Sequence, residues 1–118
     1  MKTSSFRLYS GPGRISIARG ARRVTPGFRI YSKLAPGPWF INVSYEEYCR
    51  RYAEILAKLD PQRTWDELHA LAEPHEPVLM CWEVPPFVVP SNWCHRRLAA
   101  AWIEKALGVE VSELDQLT

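Results

Sequence analysis

The chain has 118 residues, of which 47% are hydrophobic, and it contains five Trp and five Tyr. This length and composition suit one globular domain with a real core and exclude a largely disordered chain. No window approaches the roughly 18 apolar residues of a membrane span, and "MKTSSFRLYSGPGR" lacks the apolar run of a signal peptide. We therefore expect a single cytoplasmic domain, residues 1–118, with no membrane partner.

The net charge of +2 conceals an uneven distribution. Residues 1–43 carry eight basic and no acidic side chains, which gives +8, whereas residues 44–118 carry seven basic and 13 acidic ones, which gives −6. A basic segment of this kind predicts an anionic partner such as a phosphate, a nucleotide or a nucleic acid. Alternatively, the two parts neutralise each other across the fold.

The basic part, residues 1–43, has the pattern of strands and loops. "FRLYS" (6–10) and "RISIA" (14–18) alternate apolar and polar residues, which predicts half-buried strands, and Gly-Pro-Gly between them predicts a turn. A basic loop, "RGARRVTPG" (19–27), separates them from a third extended candidate, "FRIYSKL" (28–34).

Two helices are predicted in residues 44–73. Ser44 with Glu47, and Thr64 with Glu67, have the spacing of capping boxes. Asp60-Pro61 ends the first helix. The apolar stripe of that helix includes Tyr48 and Cys49, and its position in the stripe predicts that Cys49 is a small core residue.

Residues 77–107 form a predicted strand-loop-helix unit. "PVLMCWEV" (77–84) is an apolar run of central-strand length. Asn92 or Ser91 then caps a helix that ends at Leu107, before Gly108. "VEV" (109–111) is a short final strand candidate, and a frayed tail is expected over 112–118. The fold class is therefore α/β, with a mixed or mostly parallel central sheet flanked by helices.

The junction between this strand and this helix is the predicted site. Ligands of open α/β sheets collect beyond the carboxyl ends of strands, where the next helix presents unpaired amides and a positive dipole end. Three side chains there are catalytic candidates: Cys94 as a nucleophile, His95 as its acid/base partner, and Glu83 as the group that orients His95 or acts as a base. Equally, the cysteines could be core residues and His95 a structural histidine.

The remaining candidates bind rather than react. Three cysteines cannot all pair within the chain, and a cytosolic setting keeps thiols reduced, so all three are expected to be free. Cys81, Cys94 and His95 match no usual zinc spacing, so no metal is predicted, and the sequence leaves the question of a cofactor open. The expected ligand-binding residues are Arg19, Arg22, Arg23, Cys81 and Arg96.

"VLMCWE" followed by "CHRRLAAAWI" resembles the bacterial family catalogued as domain of unknown function 488, in particular its YeaO-like branch. "RISIARG" and "LAPGPWF...SYEEYCRRYAEIL" are similar to the same family. The resemblance covers nearly the whole chain and implies that Cys81, Glu83, Cys94, His95 and Arg96 occupy the family signature, and Arg19 an early strand-end position. The segment 84–93 between the two motifs, which includes "PPFVVPSNW", is longer than this family implies, and a lid or an altered ligand would account for it.

Three functions are considered, and the sequence favours the first. The first is a pocket for an anionic, phosphate-bearing small molecule, or a thiol-dependent enzyme acting on one. The second is a nucleic-acid-binding module in which the basic segment is interleaved with aromatic residues that stack on bases. The third is a non-catalytic interaction protein. The aromatic residues of the second hypothesis are Phe6, Tyr9, Phe28, Tyr31 and Trp39.

Overall fold

The computed structural model describes residues 1–20 and 27–114. Its centre is a five-stranded parallel sheet with the strand order β3-β2-β4-β1-β5. The predicted α/β class is therefore confirmed, and the sheet is parallel at every described pairing. The strands are β1 (Lys2–Ser5), β2 (Arg14–Ser16), β3 (Arg29–Ile30), β4 (Val78–Cys81) and β5 (Ser112–Glu113).

Three helices accompany the sheet: α1 (Tyr45–Ala57), α2 (Pro61–Ala72) and α3 (His95–Leu107), with a 3₁₀ turn at Ser32–Leu34. α3 contacts both other helices as well as β1 and β4, and α2 contacts β2. Within the described part of the chain, no helix is long and apolar enough to cross a bilayer.

The first strand is not where the alternation of residues predicted it. β1 occupies "KTSS", and "FRLYS" instead turns back, with the backbone N–H groups of Leu8 and Tyr9 donating to the Ser5 carbonyl. The strand is polar but buried, because two of its hydroxyls find partners: Thr3 Oγ1 donates to Glu113 Oε1 at 2.6 Å and Ser5 Oγ to the Trp82 carbonyl at 3.0 Å. An alternation of apolar and polar residues cannot reveal such a strand, because the buried positions of β1 carry polar side chains.

The other strands lie near their predicted places but are shorter. β4 ends at Cys81, so the predicted 77–84 strand loses its last three residues. The last strand forms at Ser112–Glu113, just after the predicted "VEV". Most of the basic loop, residues 21–26, and the end of the tail, residues 115–118, lie outside the described residues.

The helix caps confirm part of the sequence reasoning. The backbone N–H of Glu47 donates to Ser44 Oγ at 3.1 Å, as predicted, but the Glu47 carboxylate binds Arg50 and Arg51 instead of returning to the cap amide. α2 begins at Pro61 under an Asp60 cap, so the capping box predicted at Thr64 is wrong. Proline is favoured at the first helical position because its missing N–H needs no partner there.

The core lies between one face of the sheet and the three helices. Strand register places Thr3 and Ile15 beside Leu79, so these three side chains share that face. Ile15 and Leu79 belong to one buried cluster with helical residues such as Leu68 and Ile103. This cluster holds the end of β4 against the start of α3.

α3 has well-defined ends. Cys94 is its N-cap, so the cap predicted at Asn92 or Ser91 is wrong, and Gly108 follows the helix with φ 67°, the left-handed conformation that favours glycine. Arg96, in the first turn of α3, is completely buried, and its guanidinium forms two hydrogen bonds with the Glu113 carboxylate, at 3.0 and 2.6 Å. This bidentate pair fixes β5 to α3.

Glu113→Gln tests that pair. The substitution leaves a buried guanidinium without its counter-charge, so we expect the free energy of unfolding to fall by about 3 kcal/mol in urea titrations. Glu110→Gln, at a neighbouring exposed position, is the matched control and is expected to change stability by less than about 0.5 kcal/mol. Equal losses in the two variants would contradict the structural role of the pair.

Candidate functional site

A cavity of about 290 Å³ lies at the carboxyl ends of β2 and β4, beside the start of α3. This is the place that the sequence predicted, because parallel strands direct their carboxyl ends, and the following loops, to one edge of the sheet. Five of the predicted site residues line it: Arg19, Cys81, Glu83, Cys94 and His95.

Cys81 and Cys94 are joined by a disulfide bond. The expectation that all three cysteines are free thiols is therefore wrong for this pair, whereas Cys49 is free and half-buried. The sequence argument counted an odd number of cysteines and assumed a reducing compartment, but pairing depends on position in space. The loop between β4 and α3 returns the chain to the end of the strand, where the two residues meet, both almost fully buried.

His95 is buried next to this pair and is uncharged. Its Nε2 lies 2.7 Å from the Ile17 carbonyl, which can only accept, so Nε2 carries the hydrogen and Nδ1 keeps a lone pair. Nδ1 lies 4.0 Å from Cys94 Sγ. Burial lowers the pKa of His95 from 6.5 to about 4. At neutral pH the ring is therefore an acceptor or a ligand, and not a proton donor through Nδ1.

Glu83 lines the cavity from the loop after β4 and is exposed. The two nitrogens of His95 face the Ile17 carbonyl and Cys94 Sγ, so the hydrogen bond by which Glu83 was expected to orient the ring is not formed. β4 ends at Cys81, two residues before Glu83, so the position of Glu83 is set by the loop and not by the strand. Its carboxylate therefore places a negative charge at the cavity.

Of the arginines predicted to bind a ligand, Arg19 lies at the cavity, whereas Arg96 is paired inside the fold. Arg19 lies exposed on the cavity wall and donates from Nη1 to the Pro36 carbonyl at 3.2 Å. Arg96 was expected to bind an anionic ligand, but its guanidinium is bound by Glu113 and donates to Cys81 Sγ at 3.4 Å. Arg97 donates to Thr3 Oγ1 and to the Val111 carbonyl. Both helical arginines thus stabilise the fold, and the cavity retains Arg19.

Four of the five aromatic residues that suggested the nucleic-acid hypothesis are buried or pack against another ring of the fold. Phe6 and Phe28 pack against each other at 5.3 Å, Trp39 packs against Tyr48 at 5.2 Å, and Tyr31 is buried. Arg22 and Arg23, the basic residues of that hypothesis, lie outside the described residues. Within the basic segment, Lys33 pairs with Glu67 at 3.3 Å, in keeping with neutralisation across the fold.

The segment 84–93 is folded against the cavity. Asn92 Nδ2 donates to the carbonyls of Val84 and Pro86, at 2.8 and 2.9 Å, and the backbones of Val88 and Asn92 pair. Ser91 and Asn92 line the cavity. The extension that the sequence singled out is therefore part of the cavity wall.

Sequence reasoning missed several residues of this wall. The rings of Tyr48 of α1 and Trp93 pack edge to face, with their centroids 4.4 Å apart, and both line the cavity with Phe40 and Ile41. Burial, and then the charge of Glu83, raise the pKa of Tyr48, so its hydroxyl stays protonated. Tyr48 did appear in the predicted apolar stripe of α1, but a stripe does not distinguish a core position from a cavity wall.

The cysteine pair and His95 also form a cluster of metal-ligand types. One ligand atom from each of Cys81, Cys94 and His95 lies within 4.8 Å of the others. The spacing rules that argued against a metal consider ligands close in sequence, whereas here β4 and α3 bring them together in space.

No protein-family model, curated protein or solved structure matches the chain.

The buried His95 predicts a pH-dependent stability. The unfolded chain takes up a proton near pKa 6.5 and the folded one near 4, so the unfolded state binds more protons between these values. We expect the free energy of unfolding to fall by about 2 kcal/mol from pH 7 to pH 5. Chemical denaturation at a series of pH values measures this.

His95→Gln retains a side-chain amide for the Ile17 carbonyl but does not titrate, so it is expected to flatten the dependence in this range. His75→Gln, at an exposed position, is the control and should leave the slope unchanged. A slope of the same size in the His95 variant would assign the pH dependence to other groups.

Proposed function

We propose that the cavity binds a small anionic thiol compound and that the Cys81–Cys94 pair exchanges electrons with it by thiol-disulfide exchange. The observation that carries this proposal is the disulfide on the wall of a cavity at the carboxyl end of the sheet. The chemistry is thiol-dependent, as the sequence led us to expect, but it uses both Cys81 and Cys94 instead of Cys94 alone.

The surroundings of the two sulfurs support a defined order of steps. The Arg96 guanidinium donates to Cys81 Sγ, and such a contact stabilises a thiolate, so Cys81 is the better leaving group. A ligand thiolate attacks Cys94 Sγ, the Cys81–Cys94 bond breaks, and the bond electrons pass to Cys81. A second ligand thiolate then attacks the ligand sulfur of the mixed disulfide. This releases the ligand disulfide and leaves Cys81 and Cys94 as thiols after uptake of two protons.

The charges on the wall suggest the class of ligand. Arg19 is exposed at the cavity and offers a guanidinium to a carboxylate or a phosphate. The start of α3 adds the positive end of a helix dipole. Glu83 on the same wall favours an ammonium group. A thiol derived from an amino acid carries both a carboxylate and an ammonium group, so it fits this wall better than a phosphate alone.

We also propose that the chain is related to the domain of unknown function 488 family and acts in the cytoplasm. Support for the relationship comes from the shared motif residues, since Cys81, Glu83, Cys94 and His95 line one cavity. A disulfide in a reducing compartment is usually transient and catalytic, which agrees with an exchange reaction.

The exchange is tested by trapping its mixed disulfide. Cys81→Ser and Cys94→Ser are each incubated with the disulfide of a carboxylate-bearing thiol, and the adducts are followed by mass spectrometry. Because Cys94 is the attacked sulfur, we expect Cys81→Ser to form an adduct on the order of tenfold faster than Cys94→Ser, which corresponds to about 1.4 kcal/mol in the barrier.

Cys49→Ser, in an otherwise unchanged chain, is the control and should exchange like the parent protein. Faster labelling of Cys94→Ser would reverse the assignment of the attacked sulfur. If neither single variant forms an adduct, exchange at this site is ruled out.

Arg19→Gln tests the anionic part of the ligand. Loss of an exposed charge that contacts the ligand is worth about 1 kcal/mol, so exchange with a carboxylate-bearing disulfide should slow about fivefold. Exchange with an uncharged disulfide should not change. Arg7→Gln removes another exposed charge, outside the cavity wall, and is the control. An equal effect of the Arg19 variant on both disulfides would contradict the assignment.

A further inference from the structure

We infer that the reduced form of the Cys81–Cys94 pair, together with His95, is a binding site for a thiophilic divalent cation such as Zn²⁺. The three ligand atoms already lie within 4.8 Å of one another. Two cysteines and one histidine form a known donor set for a zinc ion with one exchangeable position. The inference concerns a second state of the same cysteines and does not rest on the exchange reaction.

The backbone spacing allows both states. The Cα atoms of the two cysteines are 7.3 Å apart, which is wider than in most disulfides. Two thiolates around one tetrahedral zinc lie roughly 3.8 Å apart. The sulfurs reach such a separation by side-chain rotation once the bond between them is broken, because β4 and α3 already hold their backbones apart.

The imidazole is oriented as a metal ligand requires. Nε2–H donates to the Ile17 carbonyl, which fixes the ring and leaves the Nδ1 lone pair for the metal. Nδ1 faces Cys94 Sγ at 4.0 Å, close to the distance between two ligands of one zinc ion. A hydrogen bond from the second ring nitrogen to a backbone carbonyl is the usual way in which proteins orient a ligating histidine.

Groups around the sulfurs suit a metal-bound thiolate. The Arg96 guanidinium donates to Cys81 Sγ at 3.4 Å and the Arg96 backbone N–H to Cys94 Sγ at 3.5 Å. Both are donors that stabilise negative sulfur. Two thiolates, a neutral imidazole and a divalent cation sum to zero charge, and Arg96 is balanced by Glu113. The buried cluster would therefore add no net charge to the interior.

The fourth position would open to the cavity. Cys81, Cys94 and His95 all line its wall, as do Arg19 and Glu83. An open position on zinc binds water or an oxygen of a ligand and polarises it. The reduced, metal-loaded site would thus take a small oxygen-donor ligand, such as a carboxylate, held also by Arg19.

Passage between the two states balances in electrons and protons. A phosphine reductant attacks one sulfur, the S–S bond breaks, and water hydrolyses the adduct. The products are the phosphine oxide and the two protein thiols, after transfer of two electrons. Binding of Zn²⁺ then releases the two thiol protons.

The test compares the reduced and the oxidised 118-residue chain. Both are titrated anaerobically with Co²⁺, and Zn²⁺ affinity is measured by competition with a chromophoric chelator. The reduced protein is expected to bind one Co²⁺ with thiolate charge-transfer absorption and the intense visible bands of a tetrahedral site. The oxidised protein should show neither. This comparison needs no variant, so a folding defect cannot produce the result.

Variants then identify the ligands. We expect Cys81→Ser, Cys94→Ser and His95→Gln, checked for folding by circular dichroism, to weaken Zn²⁺ binding by at least about 100-fold. Cys49→Ser should bind like the parent protein. Equal binding by the oxidised protein, or loss of binding in Cys49→Ser alone, overturns the inference. Cys81→Ser separates the two proposals, because it loses the metal site but retains the Cys94 sulfur that forms the mixed disulfide.

Discussion

A guanidinium without solvent exposure lies behind the cysteine pair, and the arrangement of the site depends on it. Arg96 is bound by the Glu113 carboxylate and donates to Cys81 Sγ, so one side chain of α3 connects β5 with the end of β4. A buried charge is tolerated when it is paired and its donors are used. Because the pair is satisfied, the start of α3 is held where Cys94 reaches Cys81.

The same burial determines the chemistry of the cavity. Burial lowers the pKa of His95 and keeps its imidazole neutral, and the positive charge of Arg96 is paired with the carboxylate of Glu113. What remains toward the cavity is a sulfur pair, an imidazole lone pair, and two exposed charges of opposite sign on Arg19 and Glu83. These groups suit thiol-disulfide exchange or metal binding by thiolates better than they suit the binding of a phosphate. A highly charged phosphate would need several unpaired cationic side chains.

Sequence patterns brought the candidate residues to one place in the fold but did not reveal the contacts among them. The apolar run of β4 and Gly108 after α3 are local signals, and they placed Cys81, Cys94 and His95 at one junction. The role expected of Arg96 failed because a first-turn arginine looks the same whether it faces a ligand or a carboxylate on another strand. β1 was misplaced for a related reason: its buried hydroxyls are satisfied by distant groups such as Glu113, which no local pattern contains.

The amino-acid sequence by itself determined the α/β class, the existence of the main helices, and the position of a cluster of cysteine and histidine residues at the end of a central strand. These follow from periodicity, capping and turn residues, which act over a few neighbouring positions. The tertiary structure alone decided that Cys81 and Cys94 pair, that Arg96 is sequestered while Arg19 stays at the cavity, and that Tyr48 and the 84–93 segment form walls. Those outcomes depend on distances between residues far apart in the chain, and such distances are set by how the helices pack on the sheet.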